Sequence, residues 1–147
     1  MEQNNFTGSE EIFFFEPFNT DMLFKSLRRA DYIPLYAIRR HAGERGRPGR
    51  AYLADLAKHL NMPLPALSRT MERLQDKGLV TWKTDRNAGA TYVKLTSKAV
   101  ELMEDEHRRL SQAYRRIREE IDGQELESAM KTVKKIAAIL RESEPTP

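Results

Sequence analysis

The side chains here that are best suited to chemistry are cations. Ser68, Arg69 and Arg73 lie within one short stretch, LSRTMERL. A guanidinium presents five N–H donors in a planar fork, so its natural partners are carboxylates, phosphates and the acceptor edge of guanine. Arg47 and Arg50 in the segment GERGRPGR, with Arg45 beside them, and Lys83, Arg86 and Lys94 further on, offer the same chemistry. The acid–base and nucleophile repertoire is thin by comparison. Cysteine is absent, which excludes disulfides, thiolate metal sites and thiol redox sensing. The histidines are His41, His59 and His107, and none falls in a Ser-His-Asp, HExxH or Gly-rich phosphate pattern. Glu104 and His107 make one Glu-x-x-His, which a carboxylate-bridged metal pair needs twice. The sequence therefore predicts no catalytic residue, no metal site and no cofactor, and points to binding.

The charge is arranged to suit that task. Residues 1–20 carry four acidic groups and no lysine or arginine, whereas residues 21–50 carry eight basic and three acidic groups. Residues 51–98 carry eight basic and four acidic groups, and residues 99–147 carry nine and eleven. Positive charge thus accumulates in the middle of the chain, as an electrostatic footprint for phosphate requires. No apolar run approaches the roughly eighteen residues of a membrane span, and acidic groups stand where a signal peptide would be basic. The expected location is the cytoplasm, with no membrane partner.

Elements that could position these cations follow from the apolar spacing. A helix beginning at Asp21, capped by Asn19 or Thr20, would turn Leu23, Leu27 and Ala30 inward. A second, from about Asp31 with Pro34 in its first turn, would bury Ile33, Tyr36 and Ala37. From Ala51, Leu53, Leu56, Ala57 and Leu60 follow the i, i+3, i+4, i+7 rule, and Asn61 suits a turn. The next helix would bury Leu67, Met71 and Leu74, stop at Gly78, and expose Ser68, Arg69, Glu72 and Arg73. Two β-prone runs, Leu79–Trp82 and Thr91–Leu95, flank a flexible tip from Asp85 to Gly89. Helix, turn, helix and hairpin in this order outline a winged helix-turn-helix. Such a head sets one helix in the major groove of double-stranded DNA and its wing against the neighbouring minor groove. Arg69 is the candidate for a base edge and Arg73 for a base or a phosphate. Arg86 is the candidate for the minor groove, Lys83 and Lys94 for the backbone beneath the wing, and Arg47 and Arg50 for a phosphate clamp in a loop that could equally be a solvated connection.

The order LADLAKHL, LSRTMERLQDKGLV, a wing containing DRN and an exit at YVKLTSKA resembles the MarR family of winged-helix transcription regulators over residues 20–142. The resemblance implies a homodimer on a pseudo-palindromic operator, released by a small-molecule effector. Pro63 stands where that family usually has a Ser or Thr cap, and the wing keeps Arg86 but has Asn87, Ala88 and Gly89 in place of later charges.

The remaining third supplies apolar surface for the dimer. Val100, Met103, His107, Leu110, Tyr114, Ile117 and Ile121 alternate in steps of three and four, an a/d seam. Asp122 and Glu125 have capping-box spacing for a last helix whose stripe is Leu126, Met130, Val133, Ala137 and Leu140, widened by Ile136 and Ile139. With the aromatic cluster Ile12 to Phe15 and Phe18, these helices are expected to form an isologous interface. The expected architecture is mainly α with a small β-hairpin wing. Residues 31–96 would form the head, and residues 1–30 and 97–147 the dimerisation elements. Tyr32, Tyr36 and Trp82 could line an effector cleft between head and stalk, or simply pack in the core. A rival for the whole chain is a winged-helix module that meets protein or RNA instead of duplex DNA.

Overall fold

The computed structural model describes residues 20–87 and 89–143. In chain order the elements are α1 (Arg29–His41), β1 (Ala51–Tyr52), α2 (Leu53–Leu60), α3 (Leu64–Asp76), β2 (Val80–Asp85), β3 (Ala90–Leu95), α4 (Ser97–Glu120) and α5 (Gly123–Glu142). Mainly helical, with a three-stranded antiparallel sheet of order β1-β3-β2, the chain has the expected class of fold. It divides into two compact units, the first reaching to Glu106 and the second beginning at His107, so the division falls inside α4.

The core of the first unit is aliphatic. Leu35 and Ile38 of α1, Leu56 of α2, Leu67, Met71 and Leu74 of α3, Val93 of β3 and Met103 of α4 are all essentially inaccessible. Full burial of each such side chain is worth about 1.5–3 kcal/mol, so the inward stripe that the spacing of α3 predicts is what fixes that helix. Asn61 takes left-handed backbone geometry at φ 52° and closes α2. Gly78, at φ 75°, turns the chain out of α3 into β2, in a conformation a Cβ would disfavour.

Several expectations are corrected. In place of a helix from Asp21 there is one short turn, Asp21–Leu23, with Thr20 before it making no side-chain cap. The backbone then bends, because the buried Glu106 carboxylate of α4 collects the N–H groups of Lys25 (3.0 Å), Ser26 and Leu27 (2.9 Å) through a single oxygen. Those donors are thus engaged outside any helix, and Ala30, expected inside, is exposed at the start of α1. Pro34 is the sixth residue of α1 and not in its first turn. The bond it forfeits is to the carbonyl of exposed Ala30, where water can substitute. The face of α1 is also rotated: Ile33 and Tyr36 are exposed, while Asp31, Tyr32, Leu35 and Ile38 are buried. Ala51 and Tyr52 are strand and not helix, pairing with Val93 and Tyr92. The hairpin is longer than the β-prone runs suggest, with Asp85 paired to Ala90 inside the ladder and not at the tip.

Of the seam in α4, Met103 is buried within the first unit beside Ala99 and Glu106, whereas Tyr114 and Ile117 in the second unit are 53% and 42% exposed. No residue of α5 is buried, and Met130, Val133, Ile139 and Leu140 all face outward. Asp122 sits at the N-cap of α5 but its side chain makes no capping bond, so the expected capping box is not formed. The aromatic cluster between Ile12 and Phe18, and Asn19, lie outside the described residues.

Candidate nucleic-acid interface

Helix α3 is built to present one face. Its inner residues Leu67, Met71 and Leu74 are fully buried, which forces Arg69 and Glu72 outward and leaves Ser68 half-buried. The helix starts at Pro63, whose φ of −61° and ψ of 143° give the extended backbone of an N-cap; no side chain caps the first turn. Pro65 lies within that turn, where a missing N–H costs nothing. Leu64 is 49% exposed beside it. Arg69 is exposed and holds no hydrogen bond or ion pair among the described residues.

Arg73 is differently employed. Its Nη2 and Nε reach Asp31 Oδ1 at 3.1 and 3.3 Å, while Lys77 Nζ holds Asp31 Oδ2 at 2.7 Å. Asp31 is almost wholly buried, so its carboxylate depends on both cations, and the two together tie α3 to α1. The sequence placed Arg73 on the exposed face but held no sign of this partner, which is 42 residues away.

The wing is fastened at its base. Asp85 Oδ2 accepts from Arg50 Nη1 at 3.3 Å and Tyr52 Oη at 3.5 Å, and Asp85 Oδ1 from the N–H of Asn87 at 3.0 Å. The Arg50 guanidinium also lies 4.2 Å from the centre of the Tyr92 ring. Arg50 is therefore a tie between loop and hairpin. Arg45 is likewise committed, with both Asp55 oxygens at 2.7 and 2.9 Å and its guanidinium over Tyr52; its hydrogen bond holds the Asp55 carboxyl below the usual carboxylate range. Arg47 alone of the three loop arginines makes no ion pair among the described residues, and it is exposed.

Strand register sorts the remaining cations. Lys83 stands opposite Tyr92 and Thr81 opposite Lys94, so Lys83 and Lys94 share one face of the hairpin. Trp82, opposite Val93, is on the other face, half-buried, and its backbone N–H donates to Gln75 Oε1 at 3.2 Å. Arg86 is exposed immediately after β2, at the tip. Arg69, Lys83, Arg86 and Arg47 are thus available to a ligand from outside, Lys94 is half-buried, and Arg73 and Arg50 serve first to hold the frame. Tyr32 is buried with its ring 6.1 Å from that of exposed Tyr36 and 5.4 Å from Phe24. Burial raises the Tyr32 phenol above its ordinary pKa. Neither tyrosine has a ring contact with Trp82 among the described residues.

One cluster was not legible in the sequence. His41 at the end of α1, Glu44 in the following loop and His59 in the last turn of α2 come together, with His41 Nδ1 2.6 Å and His59 Nε2 3.5 Å from the Glu44 carboxylate. The hydrogen bond from His41 holds the Glu44 carboxyl below the usual range. The only sequence signal is His-x-x-Glu across a helix end, with the third member fifteen residues further on.

A helix pair whose second member presents an unengaged Arg69, followed at once by a hairpin with a guanidinium at its tip, is a winged helix-turn-helix. No family model matches the sequence. Solved structures share the fold: a mutant of MarR from E. coli complexed with operator DNA is 23% identical with a TM-score of 0.63, over 80% of this chain and 84% of that one. MepR from S. aureus in a DNA complex is 18% identical with a TM-score of 0.62, over 78% of each chain. BpsR from Bordetella bronchiseptica, whose DNA binding is described as regulated by 6-hydroxynicotinic acid, is 19% identical with a TM-score of 0.58, over 76% and 80%. Among the described residues no helix is long and apolar enough to cross a membrane.

Proposed function

We propose that the chain is a MarR-type transcription regulator, a cytoplasmic homodimer that binds a pseudo-palindromic operator in double-stranded DNA and performs no catalysis. The observation that carries the reading is the outward face of α3, where Arg69 stands unengaged above a fully buried Leu67–Met71–Leu74 stripe, with the Arg86 wing tip directly following in the chain. Arg69 reads a base edge, with Ser68 beside it, and Leu64 at the start of the helix meets thymine methyls. Arg86 enters the minor groove, while Lys83, Lys94 and Arg47 meet phosphates. Arg73 sets the angle of α3 through Asp31 and reaches a phosphate only with its exposed edge, and Arg50 braces the wing. Exposed Tyr114, Ile117, Ile121, Met130, Val133, Ile139 and Leu140 supply the dimer contact from residues 97–147, with residues 1–30 as the remaining dimerisation element and 31–96 as the head. The fold shared with BpsR favours a small effector, and Tyr32, Tyr36 and Trp82 are the residues assigned to it.

The test is binding to random duplex DNA across a salt series, with the solution mass measured in the same buffer. A dimer whose affinity falls steeply with salt is expected, because each phosphate contact releases about one counterion. A monomer, or binding indifferent to salt, overturns the reading in favour of a protein partner; preference for single-stranded or duplex RNA overturns it in favour of an RNA-associated module.

A further inference from the structure

We infer that His41, Glu44 and His59 form a binding site for one divalent transition-metal ion of the zinc class. Their candidate ligand atoms, one from each residue, all lie within 4.8 Å of one another. The three come from two helix ends and the loop between them, so the fold, and not sequence adjacency, assembles them. His41 is half-buried as the last residue of α1. Gly43, at φ 84°, donates its N–H to the Arg50 carbonyl at 2.9 Å and turns the chain so that Glu44 faces back toward His41. His59 comes from the last turn of α2, its ring stacked on that of His41 at 3.5 Å between centroids and 5° between planes.

The Glu44 carboxylate already lies beside a ring nitrogen of each imidazole, so the three donors converge on one region. Two imidazoles with one carboxylate suit zinc, cobalt, nickel or copper; calcium and magnesium prefer oxygen alone. With metal–ligand distances of about 2.0–2.2 Å, tetrahedral binding brings the donors to within roughly 3.5 Å of each other. An ion also lies in the plane of each ring it binds, so the parallel rings must tilt apart. His59, 41% exposed at its side chain, has the room to do so. Each imidazole binds through a nitrogen that carries no proton, so the His41–Glu44 hydrogen bond gives way to two bonds to the ion, and water completes the fourth position. The neighbouring cation, Arg45, is already neutralised by Asp55 and does not oppose the incoming charge. The site does not depend on the chain binding DNA.

The experiment is titration of the full chain with zinc by calorimetry and with cobalt by visible absorption, comparing wild type with His59→Ala, Glu44→Gln and His107→Ala. His59 and Glu44 are exposed, so these variants keep the fold, which circular dichroism verifies. The expected result is one ion per chain, cobalt d–d bands, and affinity about 100-fold lower in His59→Ala and Glu44→Gln, at least as large as the loss of an outer-shell partner. His107→Ala should bind as wild type. No binding, or binding equal in all four proteins, overturns the site, and so does loss confined to His107→Ala.

Discussion

Replacing Asp31 by asparagine tests the link between α1 and α3. The carboxylate is 3% exposed at its side chain and is held by Arg73 and Lys77 through three contacts between 2.7 and 3.3 Å. Removing one partner of a fully buried ion pair costs about 3–5 kcal/mol, most of it from stranding the other charge. Here the stranded charges are 44% and 38% exposed at their side chains and regain water, so the cost falls to about 2 kcal/mol. Asparagine keeps the shape but sets an N–H donor against one of two cations, so no rotamer restores the network. Urea unfolding at fixed protein concentration reads the change as a lower midpoint with an unchanged slope. A second comparison, Arg73→Met alone and combined with Asp31→Asn, isolates the pair. A loss below about 0.5 kcal/mol, the level of an ordinary surface pair, would falsify the view that Arg73 is a structural tie.

Arg69→Ala should weaken the cognate duplex by about 1–3 kcal/mol while leaving random DNA nearly unaffected; equal losses on both make it a phosphate contact. For Arg86→Ala the expected change is a shallower dependence of log affinity on log salt, lower by about one, measured by fluorescence anisotropy. Glu106→Ala strips the acceptor from three peptide N–H groups at Lys25, Ser26 and Leu27, and should cost about 3 kcal/mol with faster hydrogen exchange at those amides; native exchange there refutes the tether. Ile117→Lys places a charge on the exposed stripe of α4 and should convert the proposed dimer to a monomer in analytical ultracentrifugation without loss of helix content; a dimer of unchanged mass moves the interface elsewhere.

Legibility in the sequence followed the range of the interaction. The buried stripe of α3, the Asn61 turn and the Gly78 stop are local, set by 3.6-residue spacing and backbone chemistry, and each is found where the sequence put it. Glu106 reaches back about eighty residues to redirect the segment before α1, and no periodicity in either stretch encodes that. The same holds for Asp31: an acid near a helix start reads as a dipole partner, yet its burial against Arg73 rotates α1 and turns Ile33 and Tyr36 outward. At the site, the sequence identified which residues are cationic but not which are already engaged. Arg50 and Arg47 look alike in GERGRPGR, and only the distant Asp85 and Tyr92 distinguish the brace from the available cation.

The prolines at the start of α3 carry a thermodynamic consequence. Pro63 and Pro65 restrict φ before and within the first turn, so the unfolded chain has fewer conformations to surrender and that end of the helix resists fraying. Between Pro63 and Leu67 only Leu64 and Ala66 can offer a peptide N–H, and the Leu64 side chain stands 49% exposed beside them. A tip of this kind meets its partner already ordered. The heat capacity change on association should then reflect the apolar area covered by rigid docking, without the larger negative contribution of a helix that folds as it binds.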